Sequence, residues 1–150
     1  RERLVEEQQV GLRREGAAPT APVLRLAWRP PYDVAGLLGF FGRRAMAGVE
    51  QVEGLVLRRT LALPQPGWIE CRFMPERCEL HVSGSPGLAP AALRLRVRQA
   101  FDLDADPAQV DPVLAALPLP ARPGLRLPGC FDGFELAVRV VLGQQVTVAA

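Results

Sequence analysis

The stretch VLRLAWRPPYD, residues 23–33, sets how the folded part of this sequence begins. Its first six residues alternate well enough between apolar and polar side chains to predict a strand. The two adjacent prolines end that strand, because proline has no N–H to contribute to a sheet. Asp33 is then well placed to cap a helix over residues 34–45. The buried stripe of this helix repeats at helical spacing: Val34, Leu37, Leu38, Phe41 and Ala45.

Three further strands and a second helix are expected downstream. The strands cover residues 55–63, 68–73 and 79–83, with turns at residues 64–67 (PQPG) and 75–77 between them. The helix covers residues 90–101, with Leu93, Val97, Ala100 and Phe101 facing inward. The order βαβββα predicts an α+β fold, in which a helix covers one face of an antiparallel, meander-like sheet.

The character of the sequence changes after this second helix. A short helix is expected over residues 107–117 and a proline-rich connector over residues 118–128, and Asp132 and Glu135 have the spacing of a capping box. The segment 136–142 that follows is apolar on nearly every side and is broken only by Arg139. Such a helix must be buried among other helices, yet little sequence remains to bury it. We therefore expect the chain to be the front part of a larger protein.

The composition indicates a globular protein with little electrostatic bias. Of 150 residues, 49% are hydrophobic and 23% are charged, and no apolar run reaches the roughly 18 residues that a membrane span needs. All 18 basic residues are arginine, and 16 acidic residues leave a net charge of only +2, so arginine abundance is weak evidence for nucleic-acid binding. Three cysteines without CxxC spacing and one histidine argue against a zinc or disulfide framework and favour the reducing cytoplasm.

A series of longer stretches carries a family resemblance. In chain order they are LAWRPPYD at residues 26–33, LGFF at 38–41, GVE at 48–50, FDL at 101–103 and ARPGLRLPGC at 121–130. The series continues with Asp132, Phe134-Glu135, Val138-Arg139 and Leu142-Gly143-Gln144. Together these stretches resemble the AlkA-type 3-methyladenine DNA glycosylases II, and the resemblance covers residues 23–150.

This resemblance implies a monofunctional glycosylase of base-excision repair. Such an enzyme extrudes an alkylated base from double-stranded DNA, cleaves its N-glycosidic bond and uses no metal and no cofactor. The resemblance implies a TBP-like α+β domain at residues 23–106, after a charged leader and linker at 1–22, and the start of an all-helical domain at 107–150. The family's helix-hairpin-helix, Gly/Pro-rich loop and catalytic Asp are expected beyond residue 150, so no residue of this chain is expected to be catalytic.

The resemblance also assigns roles to three side chains. Gln145 matches the wedge that intercalates into DNA, where the best-known family pattern has Leu. A polar wedge can still fill the vacated base position and hydrogen-bond the orphaned partner base. Phe40 and Gln144 match residues at the base pocket. On pattern alone, Gln144 and Gln145 are more typical of a solvated turn between helices, and Phe40 is more typical of a core aromatic.

Other polar side chains have plainer interpretations. One set of arginines either contacts DNA phosphates or forms solvated faces: Arg43, Arg44, Arg58, Arg59, Arg94 and Arg98. His81 is expected to be an outward strand residue without an acid partner.

Two alternatives to the glycosylase stay open. The sheet part is consistent with a TBP-like DNA-binding or interaction module without catalysis. The charged leader is consistent with an Ada–AlkA fusion, in which methyl-acceptor and transcription-regulator domains precede Arg1. For the glycosylase we expect double-stranded DNA with alkylated bases as the partner, no membrane association and a place at the nucleoid in the bacterial cytoplasm. The oligomeric state is left open.

Overall fold

A computed structural model describes residues 24–62, 66–120 and 122–144 of the chain. Within these ranges it contains five strands and four helices. In chain order they are β1 (Leu24–Ala27), α1 (Val34–Arg43), β2 (Glu50–Glu53), β3 (Val56–Leu61), β4 (Gly67–Met74), β5 (Glu79–Gly84), α2 (Pro90–Ala100), α3 (Pro107–Ala115) and α4 (Gly133–Gly143).

The strands form one antiparallel sheet in the order β1-β5-β4-β3-β2. Strands β2 to β5 form a meander, and β1 pairs with β5 at the end of it. Helix α1 therefore carries the chain from one edge of the sheet to the other. The predicted α+β fold with a meander-like antiparallel sheet is confirmed.

Strand β2 is the element that the sequence analysis did not predict. Its sequence, Glu-Gln-Val-Glu, has low intrinsic strand propensity. It forms because it pairs with β3, with Glu50 directly opposite Arg59. Charged residues on a short edge strand also discourage pairing with other chains. The order of elements up to α2 is therefore βαββββα rather than βαβββα.

Helices α1 and α2 cover one face of the sheet and bury their predicted stripes against it. The buried helical side chains are Val34, Leu37, Leu38 and Phe41 from α1 and Leu93, Val97 and Ala100 from α2. They meet core-facing strand residues such as Leu57, Ile69 and Leu80, which have no exposed surface. Each such side chain contributes about 1.5–3 kcal/mol on burial. Helix α1 ends at Arg43, so the predicted extension to Ala45 is wrong.

Asp33 caps α1 as predicted, since its Oδ1 accepts from the Gly36 N–H at 2.8 Å. Phe101, at the end of α2, packs edge to face against three other rings in the core. Its ring centroid lies 5.5 Å from that of Phe41, 5.1 Å from that of Phe73 and 5.4 Å from that of Phe131. Because Phe131 comes from the connector before α4, this connector shares the core of the α+β domain.

The connector is also fastened to the loop that follows β1. Gly124 has φ +76°, and a Cβ there would lie 2.5 Å from the carbonyl carbon of Pro31, so glycine is needed for this close approach. The Arg126 guanidinium donates to the carbonyls of Arg29, at 2.7 Å, and Pro31, at 3.1 Å. Its Cζ lies 4.7 Å from the centroid of the Tyr32 ring. The path from α3 to α4 is thereby fixed against the sheet domain.

Some sequence predictions fall outside the described residues. They are the leader and linker at 1–22, the first half of the turn at 64–67, and Gln145 with the five residues that follow it. In the described part of the chain, no helix has the length and apolarity required to cross a membrane.

Candidate functional site

Helix α4 directly precedes the predicted site residue Gln144, and it begins as predicted. The Asp132 Oδ1 accepts from the Glu135 N–H at 2.9 Å, which satisfies one of the free donors at the helix start. None of the residues of α4 is buried. Its apolar side chains are open to solvent, with Phe134 80% and Val141 65% exposed. Apolar burial therefore does not fix α4 to the sheet.

Charged side chains make that connection. Arg59 of β3 donates to Glu50 of β2 at 2.7 Å and to Glu135 of α4 at 2.6 Å. Arg139, one turn further along α4, contacts the same two carboxylates, Glu50 at 3.2 Å and Glu135 at 2.6 Å. The four residues form a closed ring of alternating charge, called here the ionic quartet. Each carboxylate uses one oxygen for each arginine.

The quartet is enclosed by the fold at its sheet end. The side chains of Arg59 and Glu50 are 4% and 5% exposed, whereas those of Arg139 and Glu135 are 25% and 27% exposed. The Arg59 Cζ also lies 4.6 Å from the centroid of the Phe131 ring. Ion pairs in such surroundings are screened little by solvent, and their geometry is directional. The quartet thus connects α4 to both β2 and β3.

Phe40 lies in the last turn of α1 and is half-buried against the core. Its ring packs edge-on against Phe41 at a centroid distance of 5.8 Å. The guanidinium of Arg44 lies over the ring, 4.0 Å from its centroid. The carbonyl of Arg44 accepts from Arg139 of α4 at 3.1 Å. Phe40 and α4 are therefore linked through a single residue, Arg44.

Gln144 is the C-terminal cap residue of α4, and its N–H donates to the carbonyl of Val140 at 3.2 Å. Its side chain is exposed, and it follows Arg139 by five residues. The structure thus places Phe40 and Gln144 on two elements that Arg139 ties together. Gln145 lies outside the described residues, so its role stays a prediction.

The arginines that were expected to face solvent or phosphate do not form one class. Arg59 is 3% exposed, so both expectations for it are wrong, because two carboxylates and a ring enclose its guanidinium. Arg98 bonds to Asp104, and this bond holds the pKa of that carboxyl below its usual value. Arg43 and Arg94 are exposed, as expected.

The face of the sheet that α1 and α2 leave uncovered carries mutually paired charges. Arg58 donates to Glu70 at 2.8 Å and to Glu53 at 3.2 Å. Arg72 donates to the other oxygen of Glu70 at 2.9 Å. These carboxylates neutralise the cations beside them, so this face does not offer the excess positive charge that phosphate binding requires.

His81 is an outward residue of β5, but the expectation that it lacks an acid partner is wrong. Its Nε2 lies 2.9 Å from an oxygen of Glu79, two residues earlier on the same face of the strand. This hydrogen bond lowers the pKa of Glu79 below its usual value. Within the described ranges, no group of three or more His, Cys, Asp and Glu side chains could hold a metal ion.

The sequence analysis missed the quartet although one signal for it was present. Leu57, Arg59 and Leu61 alternate along β3, which places Arg59 on the core-facing side. A buried arginine requires acidic partners. The identity of those partners is not local information, because Glu135 is 76 residues away and Glu50 is in the unpredicted strand.

The fold and the site define an α+β domain whose connector joins its core and whose last helix is held to the sheet by charge. A sequence model of the AlkA N-terminal domain family matches residues 23–132. The chain belongs to this family, as its resemblance to AlkA-type proteins predicted.

Two curated relatives carry the names of DNA repair proteins. The chain is 42% identical over 128 residues to the DNA-3-methyladenine glycosylase 2 of Escherichia coli (strain K12), an alignment that covers 83% of this chain and 45% of that protein. It is 37% identical over 135 residues to a probable bifunctional transcriptional activator/DNA repair enzyme AlkA of Mycobacterium tuberculosis (strain CDC 1551 / Oshkosh), covering 85% of this chain and 27% of that protein. The chain thus matches less than half the length of either relative.

Proposed function

We propose that this chain is the amino-terminal part of a DNA repair glycosylase that excises alkylated bases, of the 3-methyladenine type, from double-stranded DNA. The observation that carries the proposal is the 42% identity, over 83% of the chain, to a protein named for this activity. The reaction is hydrolysis of the N-glycosidic bond, and the place of action is the nucleoid in the bacterial cytoplasm.

In the proposed enzyme, the binding and catalytic roles belong to different parts of the full-length protein. Residues 1–22 are a leader and linker, residues 23–106 form the α+β domain, and residues 107–150 begin a helical domain whose connector packs Phe131 into the core of the α+β domain. The catalytic carboxylate comes from the part of the full-length protein beyond residue 150. The open apolar surface of α4 supports this division, because helices of that domain would cover it.

The chemistry of base excision gives the site residues their roles. A base inside a duplex is unreachable, so it must be extruded at a cost of a few kcal/mol. In our proposal Gln145 fills the gap in the stack, and the exposed Gln144 borders the pocket beside it. Phe40 offers an aromatic surface, and a cationic alkylated purine is attracted to such a surface. The Arg44 guanidinium already occupies one face of that ring, so the base would use the other face or displace Arg44.

A TBP-like DNA-binding module without catalysis is the alternative from a different class. Such a module would use the uncovered face of the sheet, where Arg58 and Arg72 are paired with glutamates. This pairing favours the glycosylase over the module. A fusion with an upstream activator is compatible with the glycosylase, and the name of the mycobacterial relative describes such a protein.

Substitution of Gln145 in the full-length protein tests the proposal. Gln145→Ala should weaken binding to duplexes with an abasic-site analogue by on the order of 1–3 kcal/mol, as for other lost stacking contacts. Binding to undamaged duplex should change far less, because phosphate contacts dominate it. Gln145→Leu should keep excision activity, since it restores the commoner family residue. Fluorescence anisotropy and single-turnover excision measure both effects.

Gln51→Ala is the matched control, because Gln51 is an exposed glutamine on the edge strand β2. It should leave binding and excision unchanged. Equal weakening for damaged and undamaged DNA would reduce Gln145 to a solvated turn residue. Absence of excision by the wild-type protein would refute the glycosylase itself.

A further inference from the structure

We propose that the ionic quartet is a positioning device that sets the angle of α4 and thereby the position of its tip at Gln144, the residue directly before the proposed wedge in the sequence. This inference rests on the proposed glycosylase function. It assigns no direct contact with DNA to the four charged residues, which act through the helix that they hold.

Beyond the buried Phe131 that precedes it, α4 is located by directional bonds rather than by burial of its own apolar side chains. No residue of α4 is buried. Its side chains reach the sheet domain through Glu135, bonded to Arg59, and Arg139, bonded to Glu50 and to the carbonyl of Arg44. Apolar contact is non-directional and lets a helix slide or rotate. Charge-assisted hydrogen bonds with planar guanidinium groups fix distance and orientation together.

The quartet constrains α4 at two points on one helical face. Glu135 and Arg139 are four residues apart, so they lie above one another on the same side of the helix. On the sheet side, Arg59 and Glu50 are cross-strand neighbours on β3 and β2. Two points on the helix thus meet two points on the sheet, which fixes rotation about the helix axis as well as tilt.

The distance from the quartet to Gln144 determines how far a tilt of α4 displaces the end of the helix. Gln144 follows Glu135 by nine residues, which is about 13 Å along a helix that rises about 1.5 Å per residue. A tilt of about 10° at the anchor would therefore move the tip by about 2 Å. Misplacement of a reacting group by about 1 Å can cost on the order of a hundredfold in rate. Small changes in the quartet should therefore alter base extrusion.

The quartet is also connected, through Arg139, to the proposed base pocket. Arg139 donates to the carbonyl of Arg44, whose guanidinium lies over Phe40. A shift of α4 would change the position of the tip relative to Phe40. The quartet thus couples the two halves of the proposed site, the tip of α4 at Gln144 and the aromatic ring on α1.

The test uses Glu135→Gln and Glu50→Gln in the full-length protein, because glutamine keeps the shape of the side chain and removes its charge. Two kinetic experiments separate two quantities: with DNA in excess the burst amplitude reports the fraction of active enzyme, and with enzyme in excess the single-turnover rate constant reports the geometry of that fraction. A duplex with 2-aminopurine beside the lesion reports extrusion of the base by its fluorescence. Glu70→Gln is the matched control, since Glu70 bridges Arg58 and Arg72 on the uncovered face of the sheet.

We expect each quartet variant to lower the excision rate constant by on the order of ten- to a hundredfold, with a matching loss of extrusion. The amplitude and the affinity for undamaged duplex should stay within about twofold. Arg139→Lys keeps the charge but loses the planar fork, so its rate constant should fall less. This milder variant keeps the proposal testable if the glutamine variants fail to fold.

Each contrary outcome has a separate meaning. Unchanged rate constants, or a loss confined to the amplitude, would show that the quartet only stabilises the fold and would overturn the positioning role. A loss of the same size in Glu70→Gln would show a general effect of charge and would also overturn it. No excision by the wild-type protein would instead refute the proposed function, whatever the variants do.

Discussion

At the scale of single residues, Phe40 shows what the sequence could and could not establish. The sequence pattern alone is typical of a core aromatic, the family resemblance predicted a residue at the base pocket, and the structure finds the side chain half-buried. The guanidinium above its ring was not predicted. Arg44 lies beyond the end of the helix, and its direction depends on how the chain leaves α1. Spacing rules describe regular elements and fail where an element ends.

A substitution at Phe40 separates the pocket role from the core role. In the full-length protein, Phe40→Leu keeps an apolar side chain but removes the aromatic face that attracts cations. We expect excision of a cationic methylated purine to fall several-fold more than excision of a neutral damaged base. Single-turnover rates on two duplexes that differ only in the lesion measure the ratio. An equal fall on both duplexes would identify Phe40 as a packing residue.

At the scale of elements, the sequence predicted those whose apolar pattern is regular. The helices predicted at residues 34–45, 90–101, 107–117 and 136–142 correspond to α1, α2, α3 and α4, and the strands predicted at 23–28, 55–63, 68–73 and 79–83 correspond to β1, β3, β4 and β5. Strand β2 was missed because partner pairing, not its own composition, stabilises it. The attachment of the connector was also missed, since it depends on contacts between residues about 95 positions apart in sequence, as between Arg126 and Pro31.

The connector makes a prediction about Gly124. Gly124→Ala should destabilise the protein by more than about 1 kcal/mol, because it adds a Cβ at a positive φ and against the backbone of Pro31. Gly48→Ala is the matched control: Gly48 has φ +80°, but its Cβ would meet nothing within 4 Å. Thermal unfolding of both variants isolates the steric part of the effect. If Gly124→Ala costs no more than Gly48→Ala, the connector is not closely packed against the loop after β1.

At the scale of the whole molecule, the family was predictable but the arrangement of the site was not. Motifs in series, such as the ARPGLRLPGC stretch, predicted the AlkA family, and the match over residues 23–132 confirms it. The structure shows what two residues of these motifs do. Gly124 permits the connector to approach the backbone of Pro31, and Arg126 donates to the carbonyls of Arg29 and Pro31. The quartet combines residues from β2, β3 and α4, and only a folded chain brings them together.

The central claim is that this chain supplies the DNA-facing framework of a glycosylase without its catalytic carboxylate. The most direct test compares the release of methylated bases by the full-length protein and by residues 1–150. Both proteins are incubated with duplex DNA that carries 3-methyladenine, and the free base is quantified by chromatography. We expect the full-length protein to release the base, and residues 1–150 to give no release above the spontaneous rate. Robust release by residues 1–150 would contradict this by placing the chemistry within the chain described here, and no release by the full-length protein would contradict the glycosylase function.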